Sequence, residues 1–165
     1  MREIKFRGKE KIGGVWLFGS YIYTNDDKNN PFRTNPPKEK HQIMFYESSD
    51  WNMGGWNYAE VRKETIGQYT GLKDKNGKEI YEGDVVEWVF FYERLGANMG
   101  VKECDTIVKG IIRWRQGGFV LEVIENDFEN AGYYSISALY TDTESDVEII
   151  GNIYDTPELI KEEEK

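Results

Sequence analysis

His41 and Cys104 are the single imidazole and the single thiol among 165 residues, so any acid–base or nucleophilic chemistry has few side chains to draw on. One histidine could act as a general acid or base, but it excludes a multi-histidine metal centre. It follows Lys38-Glu39-Lys40 at the end of a proline-rich stretch, where a solvated or strand-edge histidine is expected. Cys104 stands between Glu103 and Asp105, and neighbouring carboxylates oppose formation of a thiolate nucleophile. The densest carboxylate pattern is Asp142, Glu144, Asp146 and Glu148. At a spacing of two they would share one face of an extended strand, where oxygen ligands could hold Mg²⁺ or Ca²⁺. The row lacks the central glycine and terminal spacing of a calcium loop, so a solvated acidic face is the expectation.

Aromatic residues beside cations suggest a different chemistry. Trp114 lies between Arg113 and Arg115, and Trp16, Tyr21 and Tyr23 lie near Lys9 and Lys11. Exposed rings flanked by cations can stack single strands or peptides. Strand alternation, however, sets Ile112 and Trp114 on one face and the two arginines on the other, which predicts a buried indole. Glu82 and Asp84 belong to a Tyr-Glu-Gly-Asp step, in which an aspartate at a strand entry accepts turn amides and holds a corner. Gly71, Gly77 and Gly83 are not followed by Gly-Lys-Ser/Thr and a helix, so they form no phosphate loop. The inventory predicts a binding protein rather than an enzyme, with no cofactor.

The elements that must position these residues are strands. A hydrophobic fraction of 39% with 15% aromatics describes a globular chain, and five Trp, eleven Tyr, eight Phe, seventeen Gly and four Pro favour short strands with tight turns. Glu3 to Arg7 alternates, Gly13-Gly14 marks a turn, and Val15 to Tyr23 reads as an aromatic strand, so a hairpin is expected. Thr24 to Lys40 holds three of the four prolines and is expected to be a long loop. Gln42 to Tyr46 reads as a strand, and Trp51 to Trp56 as a glycine-centred turn. Val85 to Tyr92, Thr106 to Trp114, Phe119 to Ile124, Tyr133 to Tyr140 and Val147 to Tyr154 supply further strands, with Glu93 to Asp105 as a polar excursion. Thr156-Pro157-Glu158 carries the signals of a helix start.

Charge is divided unevenly. The net value is −9, yet residues 1–121 hold 19 basic and 17 acidic side chains, while from Glu122 onward 13 acidic residues face only Lys161 and Lys165. That distribution argues against attraction of the whole molecule to phosphates. No apolar run approaches the ~20 residues of a membrane span, and the start has no secretory pattern. A soluble, cytoplasmic protein is expected.

The stretch Thr65 to Val86, TIGQYTGLKDKNGKEIYEGDVV, together with MREIKFRGK and GGVWLFGSYI near the start and VEIIGNIYDTPELI near the end, resembles the YopX family of phage and prophage proteins. The resemblance implies a phage or prophage origin within a bacterial host and no assigned activity. It implies a structural role for Tyr69, Gly71, Leu72, Asp74, Gly77, Tyr81, Gly83 and Asp84. The expected architecture is mainly β: an N-terminal β unit over 1–67 packed with an SH3-like barrel over 68–155, then a short helix and acidic tail over 156–165. The partner classes left open are a second copy of the chain, a host or phage protein, and nucleic acid.

Overall fold

In a computed structural model of the chain, residues 3–25, 39–48, 54–95, 101–125, 132–140 and 146–160 are described. The protein is mainly β, built as antiparallel sheets with few helical turns. It divides into two compact units, residues 1–69 and 70–165.

The first unit begins with the expected hairpin. Strands β1 (Phe6–Lys9) and β2 (Trp16–Asn25) pair with Arg7 opposite Phe18 and Lys9 opposite Trp16. The turn between them is closed by the Glu10 N–H donating to the Val15 carbonyl at 2.8 Å. Strand β3 (Glu39–Glu47) pairs with β2, Tyr23 opposite His41, and β4 (Gly55–Glu60) pairs with β3, Tyr46 opposite Trp56. A short 3₁₀ turn (Lys63–Thr65) leads into β5 (Gly67–Lys73), whose start lies beside β1. The spatial order is therefore β4-β3-β2-β1-β5. Ile43 and Val61 are fully buried on the inner face of this sheet. Gly19 is required there, because a Cβ at that position would lie 2.0 Å from the Met44 carbonyl oxygen.

In the second unit, β6 (Glu79–Tyr81) precedes β7 (Asp84–Leu95), β8 (Val101–Arg115), β9 (Gly118–Glu125), β10 (Tyr133–Ser135) and β11 (Val147–Asn152). The sheet order is β10-β9-β8-β7-β11. Its core gathers Ile80, Val86, Trp88, Val108, Ile112, Phe119, Leu121 and Val147 from these strands, with Leu139 from the 3₁₀ turn that follows β10.

Several expectations are corrected. The sheet is open among the described residues, with β10 and β11 as its edges, so the SH3-like barrel does not close. The polar stretch Glu93 to Asp105 is strand at both ends, and its interior, 96–100, lies outside the described residues. The β7–β8 ladder continues into it to Leu95 opposite Val101, because backbone pairing needs no apolar side chain. Tyr133 to Tyr140 is a three-residue strand followed by a 3₁₀ turn, Ile136–Tyr140. The terminal helix is reduced to one 3₁₀ turn, Pro157–Ile160. Asn152 and Thr156 close a tight turn ahead of it. The Asn152 side-chain oxygen accepts the N–H groups of Tyr154 and Asp155, and Thr156 Oγ1 donates to the Asn152 carbonyl. Four residues then form too short a segment to carry the cost of helix nucleation. Strands β2 and β3 extend into both ends of the expected loop Thr24 to Lys40; its interior, 26–38, lies outside the described residues. No helix among the described residues is long and apolar enough to cross a membrane.

Candidate binding face

The residues of the family-like stretch build a corner. Asp74 Oδ1 accepts the backbone N–H groups of Asn76 and Lys78, each at 2.9 Å, which closes the turn around Gly77. Its Oδ2 accepts the Ile149 N–H at 3.3 Å and so ties the turn to β11. Asp84, 2% exposed, accepts the Tyr81 N–H at 2.8 Å. Tyr81 is buried and its hydroxyl donates to Glu79 at 2.6 Å. Gly71, Gly77 and Gly83 all adopt positive φ, at 92°, 79° and 87°. Leu72 packs against the core of the second unit. Tyr69 is buried in the first unit, where its N–H donates to the Lys5 carbonyl at 2.8 Å. Glu82 accepts the Trp114 N–H at 3.3 Å. Asp74, Glu82 and Asp84 thus each hold backbone, while Glu79 holds the Tyr81 hydroxyl.

The candidate catalytic groups are spread apart. His41 Nδ1 lies 2.6 Å from the Tyr21 hydroxyl, and the Tyr23 ring sits 5.3 Å away. Its Nε2 is buried with no hydrogen-bond partner among the described residues. Burial, then the neighbouring Tyr23 and Glu39, raises the Tyr21 phenol above its ordinary value. Cys104 stands opposite Tyr92 in the β7–β8 ladder. Of the acidic row, Asp142 and Glu144 lie outside the described residues. Glu148 forms an ion pair with Lys75 at 2.5 Å, while Asp146 contributes its carbonyl to the Val89 N–H. Among the described residues no group of three or more His, Cys, Asp or Glu could hold a metal ion.

The basic–aromatic pairs fare differently. Trp114 is 46% exposed, contrary to the expected burial. It lies at the hairpin end of β8 and meets Phe119 edge to face, ring centroids 4.8 Å apart. The turn beside it, with Gln116 and Gly117 at positive φ, ends the sheet there. Arg113 and Arg115 both bond the Glu122 carboxylate at 3.1 Å, so one negative charge is shared between the two cations. Arg7 and Lys9 lie over the Trp16 ring at 4.8 and 5.9 Å. Lys11 is engaged by Glu60.

The feature that reading residue by residue missed is a face. Phe18, Tyr46, Trp56 and Tyr58 are 48%, 56%, 67% and 68% exposed. By strand alternation and register they share the outer side of β2, β3 and β4, opposite to buried Ile43. Tyr46 and Trp56 meet edge to face at 5.5 Å. The signal was the spacing of two in Met44 and Tyr46, repeated in Trp56 and Tyr58. Reading Trp51 to Trp56 as a turn concealed it, because β4 begins at Gly55.

Open antiparallel sheets, a backbone-holding corner and an exposed aromatic face define a mainly β protein. The chain belongs to the YopX protein family, whose model matches residues 5–161. It is also similar to a solved structure, protein EF1440 from Enterococcus faecalis, at 23% identity. That match covers 98% of this chain and 100% of the other, with a TM-score of 0.45. No curated protein matches the chain.

Proposed function

We propose that this is a non-catalytic binding protein that docks a protein partner on the outer aromatic face of β2, β3 and β4. The observation that carries this reading is the exposure of Phe18, Tyr46, Trp56 and Tyr58 on one side of one sheet. Large contiguous apolar surface is costly to leave in water, and covering one such side chain is worth about 1.5–3 kcal/mol. Tyrosine and tryptophan are also the residues that dominate protein interfaces. The setting proposed is the cytoplasm of a bacterial host carrying a phage or prophage, which follows from the family resemblance.

A nucleic-acid strand is the second reading, favoured by Lys9 over Trp16. It ranks lower on charge. Residues 1–69 hold 11 basic and 9 acidic side chains, and residues 70–165 hold 10 basic and 21 acidic.

The test is an affinity pull-down of tagged protein from host lysate with and without nuclease, read by mass spectrometry, beside the Trp56→Ala/Tyr58→Ala double variant. A protein recovered in stoichiometric amount after nuclease, and lost with the variant, supports the reading. Recovery abolished by nuclease would transfer the face to nucleic acid. Equal recovery by the variant would remove the face from the function.

A further inference from the structure

We infer that the outer edge of β4 pairs with the same edge of a second copy, about a two-fold axis at Asn57. The inference concerns the edge of the sheet, and it stands or falls apart from the partner reading of its face.

The geometry starts from hydrogen-bond alternation. Immediately after β4, Val61 donates its N–H to the His41 carbonyl at 2.8 Å. In an antiparallel ladder alternate residues face the neighbouring strand, so the odd-numbered residues of β4 bond to β3. The N–H and C=O groups of Trp56, Tyr58 and Glu60 therefore point away from β3. The Glu60 carbonyl is taken by the Lys11 N–H at 3.0 Å. Trp56 and Tyr58 have no backbone partner for these groups among the described residues.

Sheet edges are ordinarily blunted by lysine, proline, a bulge or an inward charge. Gly55 to Ala59 contains none of these, and its pairing with β3 runs without a shift. The first charge on the strand, Glu60, is already matched by Lys11. Gly55 to Ala59 carries no charge of its own to repel a second copy, and Glu47 beside it is held by Asn57.

The edge is also self-complementary. In antiparallel pairing with Asn57 opposite Asn57 of the second copy, each Trp56 falls opposite Tyr58 of the other. The outward groups of these four residues then exchange four backbone hydrogen bonds. On the outer face the Tyr46–Trp56 contact of one copy continues into Tyr58 and Met44 of the other, and the symmetric row repeats it. Cross-strand aromatic pairs of this kind add to sheet stability. A slip of two residues would set Tyr58 opposite Gly54 or Trp56 opposite Glu60, leaving an aromatic ring without its counterpart. Asn57 keeps its own bond to Glu47 at 2.9 Å on the inner side.

The experiment combines mass and register. Multi-angle light scattering of the full chain across a wide concentration range is expected to show a monomer–dimer equilibrium. In a Cys104→Ser background, Asn57→Cys places two thiols at a non-hydrogen-bonded pair, where Cα atoms are about 4.5 Å apart and a disulfide fits. It is expected to form a covalent dimer on mild oxidation at least tenfold faster than Trp56→Cys or Tyr58→Cys. Tyr58→Pro removes an outward N–H without touching the β3 ladder, and is expected to be monomeric with an unchanged circular dichroism spectrum. A monomer at every concentration would overturn the inference. So would crosslinking through residue 56 or 58 as fast as through 57, or a Tyr58→Pro variant that still dimerises. If dimerisation fails while Trp56→Ala still loses the lysate partner, the face reading survives alone.

Discussion

Asp74 and Ile149 are bonded across 75 positions of sequence: the carboxylate Oδ2 accepts the Ile149 N–H at 3.3 Å while Oδ1 holds the two amides of its own turn. One buried side chain thus sets a tight turn and fixes β11 to it.

Removing that carboxylate leaves three backbone donors without their acceptor. Asp74→Ala is expected to cost about 1–3 kcal/mol, the cost of an unsatisfied buried group, because the three amides are only part-buried and water can reach some of them. Asp74→Asn, which keeps one acceptor oxygen, should lose less. Urea unfolding measures both, and a loss below about 1 kcal/mol for alanine would show that water replaces the carboxylate readily.

Glycine substitutions should separate backbone strain from crowding. Gly83 has φ of 87°, and a Cβ there would lie 3.2 Å from Tyr154 Cε2. Gly117 has nearly the same φ, 85°, with nothing within 4 Å. Gly117→Ala is expected to cost about 1–2 kcal/mol from the left-handed conformation alone. Gly83→Ala should cost more, and thermal denaturation of the pair reads the difference. Equal costs would mean that Tyr154 moves aside freely.

Face and core residues should behave oppositely. Trp56→Ala and Tyr58→Ala are expected to change stability by about 0.5 kcal/mol or less, because these rings are largely in water already. Ile112→Ala, at a fully buried site, is expected to cost about 2–5 kcal/mol. A large loss at Trp56 would show that the ring is covered within the fold and is not a docking surface. Denaturant titration decides it.

Two exposed ion pairs give opposite pH signatures. The hydrogen bond from Lys11, with smaller charge effects, lowers the Glu60 pKa. Its contribution is present above the unfolded value of about 4.3 and is lost as pH falls through the lower folded value. The bond to Glu148 raises the Lys75 pKa, so that contribution is present below about 10.4 and is lost as pH rises through the higher folded value. The melting-temperature gap between wild type and Lys11→Met should therefore be constant from about pH 5 to 9 and shrink toward pH 3. The gap for Lys75→Met should hold from about pH 5 to 9 and shrink above pH 10. Both gaps are expected to be small, since the pairs are solvated. Gaps that move in the reverse directions would refute the assignment.

Local signals made part of the fold legible. Gly13-Gly14 between alternating segments located the β1–β2 hairpin, and Arg115 to Gly118 located the β8–β9 turn, because both are set by neighbours in sequence. The stretch Thr65 to Val86 was enough to place the chain in its family. β4 escaped because Gly54 and Gly55 suggest a turn, while its strand state comes from pairing with β3. The extension of the β7–β8 ladder to Leu95 and Val101 escaped for the same reason: polar side chains there mask a paired backbone.

By itself the amino-acid sequence determined the β class, the family, the tight turns and the poverty of catalytic groups, since composition and near-neighbour sterics decide each of these. The tertiary structure alone decided that Trp114 is displayed and Tyr81 is buried, that the second sheet stays open, and that Phe18, Tyr46, Trp56 and Tyr58 meet on one face. Those outcomes depend on register between strands far apart in the chain. A register one residue different would send each of these rings to the opposite side.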